Sequence, residues 1–325
     1  MAMISLPRLA VAVARRLIGA AYKAASVPVS VFERLLGDST VRMVDSAQPI
    51  FIVGAPRTGS TILYQALTNA FDVTYIDNTA CKWNRNLLFG LWLSDRKYGN
   101  KPHDNFDADH GNTQRFGGHS PSECGEFWYR WCPRDRHFID YEDITQSMVA
   151  GIGREINRST RYFGRPFLFK NLNAGQRLRL IAQIFPAARI VYIKRDHVFV
   201  LRSILAARAK LGLKEGQWWS VKPKGYRHLM TLPEAEMCAR QILDIERQVE
   251  EDLSLFPQAN VRTIRSCELS PEVIGDLARW LNLWPRPHGA LPGFRKDDRA
   301  SLDAHELRRL QSTLSVASNV QGAEQ

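Results

Sequence analysis

Residues 52–61 read IVGAPRTGST, and this stretch decides the fold. The apolar run 50–53 ends at Gly54, Gly59 follows five positions later, and apolar residues recur at helical spacing from Ile62 to Ala70. A glycine-rich turn between a strand and a helix presents backbone N–H groups to an anion at the N-terminus of the helix. The pattern therefore predicts a strand, an anion-binding loop and a helix.

The loop departs from the nucleotide-binding Walker A pattern at one position. Its spacing matches GxxxxGK[ST], but Ser60 occupies the place of the lysine that contacts the terminal phosphates in ATPases and GTPases. The basic residue lies upstream instead, at Arg57, from where it can reach a bound phosphate or sulfate. A P-loop kinase or nucleotidase remains the alternative enzyme class.

The same order of strand, turn and helix occurs twice more along the chain. Apolar strands at 167–169 and 190–193 are each followed by a polar turn and a helix-periodic stretch. Continuous apolar strands that alternate with helices are typical of a parallel sheet covered on both faces. We predict a three-layer, P-loop-like α/β fold that binds its ligands beyond the carboxyl ends of the strands.

A second anion clamp is predicted after the third strand. Arg195 follows the apolar run 190–193, and Ser203 comes eight residues later, within the first two turns of the next helix. A strand-end arginine and a hydroxyl near the start of a helix both suit a phosphate.

Taken together, these two motifs resemble the donor-binding motifs of sulfotransferases that use 3′-phosphoadenosine-5′-phosphosulfate (PAPS). The loop 54–61 looks like their 5′-phosphosulfate loop, and Arg195 with Ser203 looks like their 3′-phosphate motif. The resemblance covers 50–71 and 166–208, with a weaker echo at 267–269. It is closer to bacterial, carbohydrate-type and tyrosyl-protein-type enzymes than to the cytosolic phenol class, whose loop lysine and C-terminal Arg-Lys-Gly segment are missing here.

The resemblance implies a co-substrate, a reaction and a set of site residues. PAPS would donate a sulfuryl group by in-line transfer to a hydroxyl, which we expect on a glycan or glycolipid, without a metal. Lys170 resembles the lysine of a Lys-Asn/Asp-Pro segment and joins Arg57 as a candidate to stabilise the leaving oxygen, although Leu172 replaces the proline. The residues implied to bind the donor are Arg57, Thr58, Gly59, Ser60, Thr61, Arg195 and Ser203.

The general base that accepts the proton of the acceptor hydroxyl is less clearly marked. Tyrosyl-protein-type relatives use a glutamate some twenty residues beyond the basic residue of the loop. Here Asn78 stands nearest to that position, and Asp77 beside it becomes the first candidate. Glu126, Glu123 and His119 remain alternatives, because all three lie in one polar stretch of the segment that we expect to face the acceptor.

The charge of the chain is concentrated in one segment. The 44 lysines and arginines exceed the 33 acids by 11, but the window 161–230 alone carries +13, which leaves −2 for the rest of the chain. Proteins that coat nucleic acid usually spread their basic residues, so we expect a localised anion site and no nucleic-acid partner. A non-enzymatic basic protein that binds nucleic acid or anionic lipid is the remaining alternative.

Cysteine and metal-ligand spacing bear on the compartment and on metals. The five cysteines form no CxxC pair and are odd in number, which argues against a disulfide framework and favours a reducing, cytoplasmic location. The His and Asp residues between 103 and 110 match no known metal-binding spacing, so we expect no metal site.

The sequence also predicts how the chain is organised. Residues 1–45 form a basic amphipathic segment that could contact a membrane surface, and no run of 18 apolar residues is present. Residues 46–315 form a single α/β domain. Its insertion 81–165 covers the acceptor side, the aromatic stretch 218–226 acts as a lid, and 316–325 is a flexible tail.

Overall fold

A parallel sheet of four strands forms the centre of the protein. The computed structural model describes residues 20–22, 24–33, 48–294, 296–297 and 302–323. Strands β1 (Ile50–Val53), β2 (Leu168–Lys170), β3 (Arg189–Lys194) and β4 (Val261–Arg265) lie side by side in the order β2-β1-β3-β4. Ile50 is in register with Leu168 on one side and with Arg189 on the other, and Ile190 is in register with Val261.

Helices connect the strands and cover the sheet. The α-helices are Ser60–Ala70, Asn78–Cys81, Leu87–Tyr98, Gly125–Trp128, Gln146–Phe163, Leu178–Ile184, His197–Lys210, Tyr226–Leu229, Glu234–Leu253, Pro271–Trp280 and Ala304–Ala323. Short 3₁₀ turns occur at Tyr141–Asp143, Leu172–Gln176, Gln258–Asn260 and Ser266–Glu268. Residues 20–22 and 24–33 are helical as well. No helix in the described ranges is long and apolar enough to cross a membrane.

The sheet separates two apolar cores, as expected of a three-layer fold. Successive strand side chains point to opposite faces. Phe51 of β1 accordingly packs with Phe169 and with Trp128 from the insertion. Its neighbour Ile52 joins the other core, with Leu63 from the helix after the loop. The prediction of a P-loop-like parallel α/β fold is confirmed.

Strand β4 was not predicted from the sequence. Its sequence, VRTIR, contains no continuous apolar run, and only Ile264 of the strand is buried. The three predicted strands carry continuous apolar runs because each is buried on both faces. An edge strand that is half exposed lacks this signal.

The C-terminal segment differs from the predicted flexible tail. Small polar residues from Ser315 onward suggested fraying, yet the helix Ala304–Ala323 continues through them. Leu310 and Ala317 are buried in a third apolar core with Ile204 and Ile242. Residues 1–19 of the predicted N-terminal segment, and 34–45 with them, lie outside the described residues.

A disulfide joins two segments of the insertion, contrary to the expectation from the cysteine count. Cys81 and Cys124 are bonded, with Cα atoms 5.5 Å apart, and Cys132, Cys238 and Cys267 are free. The partners are 43 residues apart, so local spacing gave no signal. The bond removes the cysteine argument for a reducing compartment.

Candidate active site

The loop between β1 and the helix Ser60–Ala70 depends on its two glycines. Gly54 has φ +154°, and a Cβ there would overlap the carbonyl oxygen of Ile193 in the neighbouring strand. Gly59 has φ +88°, in the left-handed region, and its Cβ would lie 3.0 Å from Ser266 Oγ. Glycine is required at both positions because the loop is folded tightly against β3 and the turn that follows β4.

The backbone N–H groups in the first turn of the helix Ser60–Ala70 receive no hydrogen bond from a capping side chain. Gly59, which precedes the helix, has no side chain to cap the first amides, and the first turn contains no acid. Thr58 is buried and uses its hydroxyl within the loop, donating to the carbonyl of Ala55 at 2.8 Å. The amides of Ser60 and Thr61, together with the helix dipole, therefore suit an anion.

Arg57 lies at the centre of the loop in an unusual conformation. Its φ of +69° belongs to the left-handed region, which costs a residue with a side chain about 1 kcal/mol. Its Nε donates to Ser203 Oγ at 2.9 Å, and its own carbonyl accepts from the Arg195 guanidinium at 2.8 Å. Three residues that the sequence assigned to donor binding thus form one cluster.

An acid from a distant segment completes this arginine cluster. Asp297 accepts two hydrogen bonds from Arg195, at 2.7 and 2.6 Å. Burial, and secondly the charge of Arg195, lower the pKa of the Arg57 guanidinium. Two cations close enough to affect each other in this way suit a ligand that carries more than one negative charge. No motif in the sequence marks Asp297.

A second cluster forms at the helix end of the loop around Lys170. Lys170 is the last residue of β2, and its Nζ donates to Thr61 Oγ1 at 3.0 Å and pairs with the Glu123 carboxylate. The lysine side chain is 2% exposed and that of Glu123 is 33% exposed. Asn171, the next residue, donates to the backbone carbonyl of Glu123 at 3.1 Å.

Gly111 covers the Lys170 cluster from the insertion. It has φ +92°, and a Cβ there would lie 3.2 Å from Glu123 Oε1 and 3.5 Å from both Lys170 Nζ and Thr61 Oγ1. The insertion therefore supplies both an acid and a close-fitting backbone to the loop. The sequence placed Glu123 among the possible bases but did not pair it with Lys170, because the two are 47 residues apart.

Asp77 lies in a different setting from the one its sequence position suggested. It is buried and caps the helix Asn78–Cys81, accepting from the amide of Ala80 at 2.7 Å. Its second oxygen accepts from Ser94 Oγ and contacts His119 Nδ1 at 3.1 Å. Asp77 and His119 line a small cavity of about 40 Å³ whose lining includes no residue of the loop 54–61.

Glu126 is also separate from the loop. It lies on the short helix Gly125–Trp128, and more than half of its side chain is exposed. Its carboxylate pairs with Arg134, whose two terminal nitrogens contact the two oxygens. Of the four candidate bases, Glu123 is the one that contacts Lys170, which in turn donates to Thr61 of the loop.

The fold and the sequence together identify the family of the chain. The fold and the loop define a P-loop-like α/β protein whose glycine-rich loop lies at the carboxyl end of β1. The model of the sulfotransferase family matches residues 49–265, more than half of the chain, and the chain belongs to this family. No group of three or more His, Cys, Asp or Glu side chains among the described residues could hold a metal ion.

Three solved structures to which this chain is similar bear the name sulfotransferase. Sulfotransferase STF1 from Mycobacterium tuberculosis H37Rv has 15% identity and a TM-score of 0.46, over 86% of this chain and 76% of that one. Sulfotransferase STF9 from Mycobacterium avium has 12% identity and a TM-score of 0.44, over 83% and 68%. The sulfotransferase domain from the curacin biosynthetic pathway has 15% identity and a TM-score of 0.41, over 80% and 82%. No curated protein matches the chain significantly in sequence.

Proposed function

We propose that this sulfotransferase-family protein transfers a sulfuryl group from PAPS to a hydroxyl of a glycan or glycolipid. The observation that carries the proposal is that two cationic clusters meet the same loop. Arg57, Arg195 and Ser203 lie at its middle, and Lys170 contacts Thr61 at its helix end. PAPS also carries two separate anionic groups, a 3′-phosphate and a 5′-phosphosulfate.

The arginine cluster suits the phosphates of the donor. Arg195 and Ser203 would bind the 3′-phosphate, and the carboxylate of Asp297 would give up its place on Arg195 to it. Arg57 belongs to the loop, and its hydrogen bond to Ser203 connects the loop to this cluster. The amides of Thr58, Gly59, Ser60 and Thr61 would bind the 5′-phosphosulfate bridge.

The Lys170 cluster suits the transfer step. The acceptor oxygen would attack sulfur while the bond from sulfur to the 5′-phosphate oxygen breaks, and adenosine 3′,5′-bisphosphate would leave. Lys170 and the amides at the start of the helix would stabilise the charge that develops on the leaving oxygen. Arg57 remains a second candidate for this role because it lies in the same loop.

Glu123 is the base that this arrangement favours. Its carboxylate is partly exposed and already lies beside Lys170, so an acceptor hydroxyl near the sulfur would be within its reach. The proton of the hydroxyl would pass to Glu123 as the new oxygen–sulfur bond forms. Both oxygens of Asp77 are engaged by Ala80, Ser94 and His119, which makes Asp77 the weaker candidate.

Calorimetric titration with adenosine 3′,5′-bisphosphate and with ATP tests the donor. We expect the bisphosphate to bind more tightly, and Arg195→Ala to weaken its binding by about tenfold or more, since a charge-assisted bidentate contact is lost. Tighter binding of ATP would support a P-loop kinase. If neither nucleotide binds and binding to nucleic acid falls steeply with salt, the non-enzymatic alternative would hold.

Membrane contact through the N-terminal segment remains part of the proposal. In the helical stretch 24–33, Val27 and Val31 are one turn apart and are 72% and 59% exposed. Phe32 of this stretch packs against Trp92 of the helix Leu87–Tyr98. Arg96 and Lys97 lie in the last turn of the same helix. Exposed apolar residues on a helix are typical of contact with a membrane surface, and vesicle sedimentation with and without phosphatidylserine tests it.

A further inference from the structure

A groove of about 320 Å³ lies between residues 135–143 of the insertion and residues 223–227 at the end of the aromatic stretch. None of the residues that line it belongs to the loop 54–61. Its lining consists of Asp135, Arg136, Phe138, Asp140, Glu142, Asp143, Pro223, Lys224, Gly225, Tyr226 and Arg227. A concave site of this size accommodates a small ligand rather than a single water molecule.

The two walls of the groove are tied to each other. The Tyr226 hydroxyl donates to the carbonyl of Asp135 at 2.8 Å, and the backbone N–H of Lys222 donates to His137 Nδ1 at 2.9 Å. Lys224 crosses between the walls, with its Nζ 3.2 Å from Asp140 and 5.2 Å from the centre of the Phe138 ring. The groove is therefore formed before any ligand binds, which lowers the entropic cost of binding.

The charges on these walls neutralise one another. Each cation faces an acid: Arg136 donates twice to Asp143, at 2.6 Å, Lys224 contacts Asp140, and Arg227 lies 3.3 Å from Asp135. With Glu142, the lining has four acids and three cations, so it does not favour an anionic ligand. It offers N–H donors, carboxylate acceptors and the aromatic ring of Tyr226 together, whereas Phe138 is buried.

The groove is connected to the Lys170 cluster along the aromatic stretch. Trp219 packs edge-on against the ring of His110, with centroids 5.9 Å apart. His110 precedes Gly111, which covers Lys170 and Glu123. The stretch therefore begins beside the proposed transfer site and ends in the wall of the groove at Tyr226.

A hydrogen-bonded chain makes a second connection. Asn173, three residues beyond Lys170, donates to the Tyr129 hydroxyl at 3.1 Å. The same hydroxyl lies 3.3 Å from His137 Nε2, and His137 accepts from the backbone N–H of Lys222, which precedes the lining residue Pro223. Two independent paths thus fix the groove relative to the end of β2.

We propose that this groove is an acceptor subsite that binds an uncharged sugar unit remote from the hydroxyl that is sulfated. The inference rests on the proposed function for its role, although binding of the sugar itself does not require the donor. A sugar matches the lining because its hydroxyls both donate and accept hydrogen bonds, and its C–H face packs on aromatic rings.

The test uses maltose, cellobiose and lactose as uncharged probes and lactobionate as a charged one. Binding to the full chain is measured by saturation-transfer NMR and calorimetry, with and without adenosine 3′,5′-bisphosphate. We expect at least one uncharged disaccharide to bind saturably, and Tyr226→Ala to weaken it about tenfold. The matched control is Tyr141→Ala, which removes an exposed tyrosine that does not line the groove.

Further outcomes separate this proposal from the proposed function. Arg227→Ala, at an exposed rim position, gives a second variant that leaves the fold intact and is expected to weaken the same probe. Failure of all three uncharged disaccharides to bind, tighter binding of lactobionate, or equal affinity in Tyr226→Ala overturns the subsite. Sugar binding without any binding of the bisphosphate would overturn the proposed function and leave the subsite standing.

Discussion

Lys170 is the most constrained charge in the candidate active site. Its ammonium group is almost fully buried, and its contacts are a hydroxyl of the loop and one carboxylate. A buried cation is costly to leave without a partner. Glu123 is the ion-pair partner of the buried Lys170 in the free protein. In the proposed reaction, a sulfuryl group would give the lysine a new anionic partner and leave Glu123 available as a base.

We expect Glu123→Gln to lower kcat by about 10²- to 10⁴-fold, because the amide still accepts from Lys170 but cannot take a proton. The affinity for adenosine 3′,5′-bisphosphate should stay within about twofold, since Glu123 does not reach the arginine cluster. Sulfate transfer and calorimetry on the same samples measure both effects. Glu126→Gln is the matched control, because Glu126 is exposed and paired with Arg134.

Undiminished turnover in Glu123→Gln would remove Glu123 as the base. A loss of turnover in Asp77→Asn without loss of stability would then favour Asp77. We expect Asp77→Asn instead to lower the free energy of unfolding by about 1–2 kcal/mol, because Asp77 caps a helix and is buried.

Asp297 provides a second test at the residue scale. Its carboxylate accepts from two nitrogens of Arg195, where the proposed 3′-phosphate would bind. Asp297→Asn should raise the affinity for adenosine 3′,5′-bisphosphate by about two- to fivefold, because the competing charge is removed from a partly exposed pair. A lower affinity, measured by the same calorimetry, would show that Asp297 positions Arg195 for its ligand.

At the scale of elements, the segment that carries Glu123 is held by backbone pairing and by the disulfide. Ser122 donates to the carbonyl of Ile76 at 2.8 Å, and Thr79 donates to that of Gly118 at 2.8 Å. Cys124, the residue after Glu123, is bonded to Cys81 at the end of the helix Asn78–Cys81. These ties fix Glu123 relative to the helix Asn78–Cys81 and the residues that precede it.

We expect reduction of the Cys81–Cys124 disulfide to lower the free energy of unfolding by about 2–4 kcal/mol, because the bond closes a long loop in the unfolded chain. Urea unfolding with and without reductant measures the change. Thiol titration of the denatured protein should find three free cysteines before reduction and five after it. Cys267→Ser, at an exposed free cysteine, is the control and should leave stability unchanged. Five free thiols before reduction would contradict the bond.

The sequence predicted those elements whose signal is local. Strand β1, the loop and its helix were found because a buried strand and a glycine-rich turn have their own residue pattern. Arg195 and Lys170 followed, since each lies just beyond a predicted strand, and Ser203 followed from its place near the start of the next helix. Glu123 and Asp297 could not be assigned in this way, because packing of distant segments brings them to the site. The edge strand β4 lacked a continuous apolar run.

At the scale of the whole molecule, the basic window 161–230 is not a basic surface. Many of its cations pair with acids from outside the window: Arg165 with Asp72, Arg179 with Asp252, Lys194 with Glu250, Arg195 with Asp297, Arg202 with Glu306 and Arg208 with Glu234. Arg208 in particular is buried, so it serves the fold rather than an anionic acceptor. This neutralisation weighs against the non-enzymatic, nucleic-acid-binding alternative.

Two buried histidines determine how the stability of the whole molecule depends on pH. Burial, and secondly His119, lower the pKa of His103 to about 4. Burial, and then the charges of Arg177 and Lys222, lower the pKa of His137 to about 3. Both side chains are therefore neutral in the folded protein at pH 5, whereas in the unfolded chain their pKa lies near 6.5. Their pKa values are lower in the folded state, so between pH 6.5 and 4 the unfolded chain binds more protons.

The protein should consequently lose stability as the pH falls from 6.5 to 5, by about 2 kcal/mol for each of the two histidines. The hydrogen bond to Glu246 is the first cause of the raised pKa of His197, which acts in the opposite direction. The contribution of His197 to the stability of the folded protein is present below pH 6.5 and is lost as the pH rises.

Urea unfolding at pH 7 and pH 5 measures the net change. His137→Gln should reduce the difference between the two pH values by about half, because one of the two protonation sites is gone. His228→Asn, at an exposed histidine, should leave that difference unchanged. An undiminished difference in His137→Gln would show that the fold does not keep His137 neutral.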